Sequence, residues 1–516
     1  MRAFCRAGGG WTWREGCVGL GALLLAAGVA GAADVSALWG RNGELWTPQS
    51  RLPDFSWAGH HCGEQALPVL PPGVSVKTFG AKGDGVADDT QAFLDALEKA
   101  PAGAIEVPPG HYKVTKILEI TRSGIVLRGA GPDKSVLVCP VPLNEIKPNW
   151  GATTTGKRTS NYSWNGGIVW LKGSLRTKPL ATVTAEALRG AQALTVASTE
   201  RLRVGQRVQI YESDTPENTL AAHLYSGDPG PTQKLKGSAR AALVCHVTKL
   251  AGHQVFFDRP LRCDVKLLWQ PVVRSFEPTV TESGVEKLGF EFPNTPYPGH
   301  FNESGFNAVA LTGCSDCWVR DLRILNADSG LYLNGCFCTA QNIVIESARQ
   351  PDKTGSTGHH GVSISGADNL FTAFDFRTQF IHDISVDGGA SGNVTAGGKG
   401  VDLCLDHHKR VCCENLFANL DAGAGTHLWR HGGGADLGKA CAARGTFWNI
   451  RAQKPQVWPP AEFGPPSMNL VAIQTIKPTA ADPAGKWFEA IKPESLNPQD
   501  IHQAQLARRL AARPAR

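Results

Sequence analysis

The sequence predicts an all-β protein whose strands form a parallel β-helix, a solenoid of stacked coils. Three observations predict this fold class. Glycine is abundant, with 58 residues among 516, and together with Asp and Asn it separates many short β-type runs. Successive runs recur about every 20–30 residues, which is a repeat length typical of solenoids. The helices that a βα-barrel needs between its strands are missing, which leaves a β-sandwich as the alternative.

The first 32 residues are predicted to be a secretory signal peptide. Arg2, Arg6 and Arg14 make a basic start, and residues 18–30 (VGLGALLLAAGVA) are apolar. The small residues 30–32 provide a cleavage site before residue 33. The apolar run is shorter than the about 18 residues that a membrane span needs, although a retained anchor is the alternative. We therefore expect a secreted, extracellular or periplasmic, protein with no membrane span in its mature chain.

Residues 33–73 and 74–175 are predicted to be an N-terminal extension and the first part of the coil. The extension is polar, aromatic and proline-punctuated, so we expect it to lie against another part of the molecule. After it, FGAKGDGVADDTQAF predicts a strand, a turn and a short helix, and the strands AIEVPPGHYKV and GIVLRGAG follow. Asp84, Asp88 and Asp89 are interpreted as turn-forming and helix-capping residues, with a calcium site as the alternative.

These motifs resemble the start of the pectate-lyase-like family, which includes rhamnogalacturonases, mannuronan epimerases and phage tailspikes. The resemblance implies a right-handed parallel β-helix with its N-terminal end plugged by the short helix. It extends over nearly the whole mature chain, through DFSWAGHHCGE, WNGGIVWLKG, IHDISVDGGASGNV, LDHHKR and TFWNI. The DPHE motif of the epimerases is absent. The motifs are specific for the fold and not for the reaction, so no catalytic residue is carried over from the family.

The remaining chain is divided into an insertion, the main coils and a tail. Residues 176–272 contain TVTAEALRGAQALTVAS, VGQRVQIYESD and HQVFFDRPL, which predict an antiparallel β-rich insertion. Residues 273–453 return to short strands, from VEKLGF to TFWNIRA, and form the main coils. In residues 454–516, Ile501, Leu506 and Leu510 fall near one helical face, which predicts a C-terminal cap over the last coil. A disordered basic tail is the alternative.

Charge and cysteine content restrict the partners. A net charge of +6 permits an acidic substrate. No dense cluster of Lys and Arg alternates with aromatic residues, which argues against nucleic acid. The pairs Cys314/Cys317 and Cys336/Cys338 lie in or beside β-type runs. We therefore predict stacked core residues or a disulfide between neighbouring turns, not a zinc site. We expect a monomer.

Histidines recur at the coil period between residues 359 and 431. His359 and His360 open GVSISG, His382 opens HDISV, and His407 and His408 end VDLCLDHH. His427 and His431 flank THLWRH. Because adjacent coils lie about 4.8 Å apart, residues one turn apart become neighbours. The predicted catalytic residues are His360, His382, Asp383, Asp406, His407, His408 and His427, with no metal ligand among them.

Strand alternation assigns these residues to faces. If Val401, Leu403 and Leu405 point inward, Asp406 and His408 point outward. In THLWRH an inward Leu428 leaves His427 and Trp429 outside. The same rule turns His382 inward, so its assignment stays open between a core residue and a functional one. For the whole ladder, a solvated polar seam that closes the turns is the alternative.

Histidine chemistry favours a polysaccharide lyase acting on a uronate polymer by β-elimination. Neutral histidine suits the base that removes the C5 proton, and protonated histidine suits the acid. Arg377, Lys399, Lys409, Trp429 and Arg430 are the predicted substrate-binding residues. A glycoside hydrolase using Asp383 with Asp406 is one alternative, although LYLNGCFC lacks the paired aspartates of polygalacturonases. An epimerase or a non-catalytic glycan binder is another. No motif demands a cofactor, and calcium dependence stays open.

Overall fold

The computed structural model describes residues 34–475 and 486–512. The predicted signal peptide therefore lies outside the described residues. The strands are, in chain order, β1 (Val74–Ser75), β2 (Asp84–Asp88), β3 (Gly103–Val107), β4 (Gly110–Lys113), β5 (Leu118–Ile120), β6 (Ile125–Gly129), β7 (Ser135–Val138), β8 (Trp150–Ala152), β9 (Arg158–Ser160), β10 (Val169–Lys172), β11 (Leu175–Arg176), β12 (Pro179–Thr182), β13 (Ala193–Thr195), β14 (Arg207–Ser213), β15 (Arg240–Ala251), β16 (Gln254–Phe257), β17 (Val272–Ser275), β18 (Glu277–Pro278), β19 (Gly284–Glu291), β20 (Asn307–Ser315), β21 (Trp318–Leu325), β22 (Ser329–Cys336), β23 (Thr339–Glu346), β24 (His360–Ile364), β25 (Leu370–Phe376), β26 (His382–Val386), β27 (Val394–Ala396), β28 (Lys399–Gly400), β29 (Leu405–His407), β30 (Leu416–Asp421), β31 (Thr446–Arg451), β32 (Asn469–Ile473) and β33 (Trp487–Glu489). The α-helices are α1 (Thr90–Lys99), α2 (Leu143–Ile146), α3 (Thr219–Leu224) and α4 (Ile501–Ala511).

Two long parallel sheets make the coil. A 16-stranded sheet has the main order β1-β3-β6-β19-β21-β23-β25-β27-β30-β31-β32-β33. A seven-stranded sheet has the order β5-β10-β20-β22-β24-β26-β29. Because neighbours in each sheet come from successive turns, the predicted all-β parallel β-helix is confirmed. In the seven-stranded sheet the ladder stacks Leu331, Val362, Ile384 and Leu405, and all four belong to one apolar core.

Helix α1 covers the beginning of this core, as the sequence predicts. Phe93 is fully buried and packs edge-to-face on Tyr112, with ring centroids 5.6 Å apart. The neighbouring carboxylates bind backbone amides: Asp88 accepts from Thr90 N, and Asp89 accepts from Gly83 N at 3.0 Å. Asp89 occupies the N-cap position without a side-chain capping bond. These contacts fit the turn and capping interpretation of the aspartates.

The insertion is a six-stranded antiparallel sheet with its own apolar core. Its strand order is β12-β17-β14-β15-β16-β13. Two buried carboxylates from the coil turns attach it. Asp368 pairs with Arg259 and Arg262, at 3.0 and 2.5 Å. Glu414 pairs with Arg262, and further with Arg189 at 3.3 Å and Arg444 at 2.5 Å.

The N-terminal extension and the C-terminal tail pack together on the outer side of the 16-stranded sheet. Their shared cluster includes Trp39, Phe55 and Ile501, against outward side chains of β27, β30, β31 and β32. The tail also supplies β33 to the sheet. Its helix is only partly as predicted: Ile501 is buried, whereas Leu510 is 38% exposed. Polar contacts replace the expected apolar face, since the Gln505 amide bonds both Phe55 N and Pro53 O.

The cysteines serve as small core residues. Among the described residues all twelve are free thiols. Cys314, Cys317 and Cys338 lie in the coil core, and Cys314 Sγ is 3.9 Å from Cys338 Sγ. In the described chain, no helix is both long and apolar enough for a bilayer crossing.

A buried carboxyl in the insertion makes stability depend on pH. Glu212 is 1% exposed, and burial raises its pKa to about 7, although the Lys266 amide partly offsets this. The Cys263 thiol, 3.7 Å away, lowers the pKa of Glu212 slightly, and the charge of Asp264 raises it. The unfolded chain loses this proton near the ordinary value of 4.5, while the folded chain keeps it to about 7. Stability therefore falls as pH rises through this window.

We expect Glu212→Gln to remove this penalty. One pKa unit corresponds to about 1.4 kcal/mol, so the variant should gain up to about 3 kcal/mol over the parent between pH 4.5 and 8. Denaturant unfolding at both pH values measures the difference. Glu200→Gln, an exposed site in the same insertion, is the matched control and should show no such gain. An equal difference for Glu212→Gln at both pH values would contradict the expectation.

Candidate functional site

Five imidazoles and one carboxylate meet beside the seven-stranded sheet, at the starts of β24 and β26 and at the end of β29. This histidine cluster consists of His300, His359, His360, His382, His408 and Asp406. The rings of His360 and His382 stack with centroids 5.1 Å apart, and His408 lies 4.6 Å from His382 and 5.9 Å from His360. His359 lies 4.2 Å from His360 and 4.7 Å from His300. Coil stacking thus brings together residues that are far apart in the sequence.

An irregular column in the ladder turns His360 and His382 out of the core. Between β24 and β26, His360 pairs with His382 and Val362 pairs with Ile384, but Gly361 and Asp383 between them do not pair. Between β22 and β24, Gly330 and Gly361 likewise do not pair. Strict alternation would place His382 on the side of Ile384. Instead His382 contacts Asp406 and His408, which lie outside the core. The inward orientation predicted for His382 is therefore wrong.

Asp406 is the centre of the cluster. Its Oδ2 accepts from Ser385 Oγ at 2.7 Å and its Oδ1 accepts from Gly432 N at 2.6 Å. The same Oδ2 lies 3.2 Å from His382 Nδ1 and contacts His408 Nδ1. Burial raises the pKa of Asp406, but the charges of His408 and His382 outweigh this and hold it well below its usual range.

The imidazoles differ in their electrostatic environments. Burial lowers the pKa of His408, but attraction to Asp406 outweighs this, so its pKa lies above the usual value. Burial, with repulsion from neighbouring imidazoles, lowers the pKa of His359 and His360 well below that value. For His300 the same causes lower the pKa to about 4. His408 is therefore the most basic of these four, and it keeps 14% of its side chain exposed.

A protonatable carboxyl lies behind His359. Burial raises the pKa of Glu303 to about 7, which a hydrogen bond from Tyr297 Oη at 2.5 Å partly offsets. Glu303 Oε1 is 3.6 Å from His359 Nδ1. The sequence reasoning missed both His300 and Glu303, because PGHFNE lies on an irregular loop outside the histidine period. The signal that the sequence offered for a site here was that His300 and Glu303 lie close to two aromatic residues, Tyr297 and Phe301.

Two predicted site residues belong to the aromatic core. His407 is in register with the inward Val386, and its ring contacts Phe417, Phe447 and Phe463. Trp429 packs edge-to-face on Phe447, 4.9 Å away, and is 7% exposed. Both assignments are wrong, for different reasons. His407 was included for its coil period, although alternation with the buried Leu403 and Leu405 turns it inward. THLWRH forms turns, so strand alternation did not apply to Trp429.

Two predicted cations lie in the other sheet. Arg377, which follows β25, and Lys399 of β28 both face Asp375, at 3.0 and 3.8 Å. The substrate-binding role predicted for them at the histidine cluster is therefore wrong. Lys409 follows His408, but its Nζ bonds Gly434 O at 3.0 Å. Arg430 lies beside the cluster and donates to the carbonyls of Phe380 and Ile381, on the loop before β26.

Asp383 and His427 lie next to the cluster. The Asp383 carboxylate accepts from Phe380 N at 2.9 Å and from Cys404 N at 3.0 Å, so it holds the starts of two neighbouring turns. His427 lies 3.2 Å from Asp402 and 3.8 Å from Asp383. It makes no ring contact with His360 or His408, contrary to the single seam predicted for these three.

A cavity of about 550 Å³ lies at the other end of the same strands. It is lined by the turns that end β22 and β24, including Asn334 and Ser365, and by the insertion. Arginines form part of its wall: Arg240, Arg262, Arg410 and Arg444. His360 begins β24 and Ser365 follows its last residue, about 16 Å further along at 3.3 Å per residue. His408 is closer to the cavity, because Arg410 in the cavity wall is only two residues after it.

The beginning of the coil matches a known family. Residues 73–139 match the family described as rhamnogalacturonase A/epimerase, pectate lyase-like. The resemblance inferred from FGAKGDGVADDTQAF and the strands that follow it is thus confirmed for this segment. This pectate-lyase-like segment contains α1 and the first coil strands, and it contains no residue of the histidine cluster.

Two curated proteins and one solved structure are similar to parts of the chain. Alginate lyase 7 of Azotobacter vinelandii is 35% identical over 97 residues, which are 17% of this chain and 11% of the lyase. The preneck appendage protein of Bacillus phage PZA is 46% identical over 65 residues, 13% of this chain and 7% of that protein. The solved tailspike gp49 of Pseudomonas phage LKA1 is 15% identical, with a TM-score of 0.46, covering 73% of this chain and 63% of the tailspike. The chain therefore spans only a small part of the two curated relatives.

Proposed function

We propose that the protein is a carbohydrate-active enzyme that cleaves an acidic, uronate-containing polysaccharide by β-elimination. The observation that carries this proposal is the His408–Asp406 pair. Asp406 is fixed by Ser385 and by the Gly432 amide, and it holds His408 with part of the ring exposed. A histidine oriented through Nδ1 by a buried carboxylate is the usual arrangement of a general acid–base.

The proposed reaction uses His408 twice. Neutral His408 takes the proton from C5 of the uronate, and the C5–H electron pair forms the C4=C5 double bond as the C4–O bond breaks. The imidazolium then returns the same proton to the departing oxygen. Atoms and charge balance without a second proton donor. The raised pKa of His408 suits a base that works near neutral pH.

Hydrolysis is less well supported by the carboxylates. A hydrolase needs one carboxylic acid kept protonated beside one carboxylate. Of the predicted pair, Asp406 has its pKa held well below the usual range, and both Asp383 oxygens accept backbone N–H bonds. Glu303 has a raised pKa, but it is only 2% exposed and bonds Tyr297. The structure thus offers a proton-transfer histidine more readily than a catalytic carboxyl pair.

The arginine-lined cavity supports an acidic polymer as substrate. One of its wall residues, Arg410, is only two residues after the proposed base His408, so the cavity begins close to the proposed site of proton transfer. Arg262 and Arg444 pair with Asp368 and Glu414, so Arg240 and Arg410 are the wall cations that favour a negatively charged sugar over a neutral one. The alginate lyase among the relatives makes alginate one polymer to test, although only 17% of this chain is matched.

We expect the chain without residues 1–32 to release unsaturated products from a uronate polymer. Incubation with alginate, polygalacturonate and neutral glycans tests this, read as new ultraviolet absorbance from the unsaturated sugar and as new reducing ends. Reducing ends without absorbance would mean hydrolysis and would overturn the proposed reaction. Retention on a polymer with neither signal would mean a binding protein and would overturn the enzyme proposal.

A further inference from the structure

Elimination from a uronate needs positive charge next to the sugar carboxylate, because the C5 proton becomes acidic only when that charge is neutralised. Of the cations predicted from the sequence, two lie away from the cluster and a third is held by backbone carbonyls. Arg377 and Lys399 pair with Asp375 in the other sheet. The Arg430 guanidinium bonds Phe380 O and Ile381 O, and its Nε is buried.

Three histidines of the cluster converge where such a charge is needed. One ring nitrogen from each of His300, His359 and His382 lies within 4.8 Å of the others. The three side chains come from a loop and from the starts of two adjacent coil turns, so the fold holds them from different directions. His359 and His382 are 1% and 6% exposed. Three buried or half-buried imidazoles thus bring their ring nitrogens to one point.

Two of these rings have a carboxylate beside them, as metal-bound histidines commonly do. In such sites the second ring nitrogen points to the carboxylate, which fixes the ring and strengthens the ligand. His382 Nδ1 lies 3.2 Å from Asp406 Oδ2 and His359 Nδ1 lies 3.6 Å from Glu303 Oε1, although within the described residues neither nitrogen makes a hydrogen bond. The other nitrogen of each ring, Nε2, then remains for the metal.

The third ring offers a nitrogen with no other use. His300 Nε2 is buried and has no hydrogen-bond partner within the part of the chain that the structure describes. The ring is fixed by stacking on Phe301, with centroids 3.7 Å apart. A buried nitrogen without a partner is costly unless a ligand satisfies it.

We propose that His300, His359 and His382 bind one divalent transition-metal ion of the zinc class. Three imidazoles with an open fourth position are the ligand set of catalytic zinc sites. Zinc–nitrogen bonds of about 2.1 Å place tetrahedral ligands about 3.4 Å apart, so nitrogens that lie within 4.8 Å need to close by at most about 1.4 Å. The open position would take the uronate carboxylate, a role that rests on the proposed function, whereas metal binding itself does not.

A second histidine group provides an internal control. His60 and His61 both contact Glu282, with ring nitrogens 3.2 and 2.7 Å from its two oxygens. These nitrogens already have a carboxylate partner, and His61 has 41% of its side chain exposed. We therefore assign the ion to the histidine cluster and use His61→Ala as a matched variant.

Calorimetric titration of the chelator-treated full mature chain with Zn²⁺ tests the proposal. We expect one tight equivalent, weakened at least 100-fold by His300→Ala and by His359→Gln, and unchanged by His61→Ala and by the exposed His111→Ala. His300 is half-buried on a loop, so its variant should stay folded, which circular dichroism and the melting temperature verify.

Two results would overturn the proposal: no tight Zn²⁺ binding by the parent chain, or full affinity retained in both cluster variants. Loss of the tight equivalent in His61→Ala alone would also place the ion elsewhere and overturn it. The outcome is separable from the proposed function. Tight binding without unsaturated product would leave the metal site standing and the lyase wrong, and product from a chain that binds no Zn²⁺ would do the reverse.

Discussion

His408→Ala is expected to lower the turnover number on a uronate polymer by about 10²–10⁴-fold while leaving the fold intact. The physical reason is that the substitution removes the proposed proton-transfer group and leaves the backbone contacts of β29 in place. Asp406 would still be held by Ser385 Oγ and Gly432 N, at 2.7 and 2.6 Å. Initial rates over a range of polymer concentrations, with circular dichroism of each protein, measure the effect.

The separate effects on kcat and KM distinguish a catalytic role of His408 from a structural one. Because His408 would act on the proton and not on the bulk of the polymer, kcat should fall and KM should change little. Asp406→Asn, a change in the positioning residue, should also lower kcat, because the amide no longer stabilises the imidazolium. His111→Ala, at an exposed site on β4, is the matched control and should keep full activity. Unchanged kcat in His408→Ala would place the chemistry elsewhere.

Asp368→Asn is expected to destabilise the protein by about 3–5 kcal/mol, the largest stability effect that the structure predicts. The carboxylate is 3% exposed and binds Arg259 at 3.0 and 3.1 Å and Arg262 at 2.5 Å. Removing its charge leaves two buried guanidinium groups without full compensation. Because Asp368 belongs to a coil turn and both arginines to the insertion, the contact between these two parts should weaken first.

A surface ion pair provides the comparison. Asp375→Asn removes the partner of Arg377 and Lys399, whose side chains are 53% and 63% exposed. Exposed pairs contribute about 0–1 kcal/mol, so this variant should unfold close to the parent. Denaturant unfolding followed by circular dichroism measures both. Equal midpoints for Asp368→Asn and Asp375→Asn would contradict the role given to the buried pair.

The histidine cluster was only partly accessible to sequence reasoning. The coil period brought His360, His382, Asp406 and His408 into one set, and their rings and carboxylate do meet. Period alone could not place His407, because its strand pairs it with Val386 and turns it into the core. His300 lies on a loop with no period at all, so no pattern could include it.

The local sequence determined the coil. Short apolar runs separated by glycine, aspartate and asparagine cannot bury one face alone, so they must stack, and the motifs before α1 mark where stacking begins. Only the tertiary structure decided which side chains of β24 and β26 face outward. Gly330, Gly361 and Asp383 occupy the same position in three successive coils and do not pair with one another. At this irregularity, His382 takes the orientation opposite to the one that alternation assigns to it. Likewise, the partners of Asp368 come from residues more than 100 positions away, a distance over which only the folded chain brings charges together.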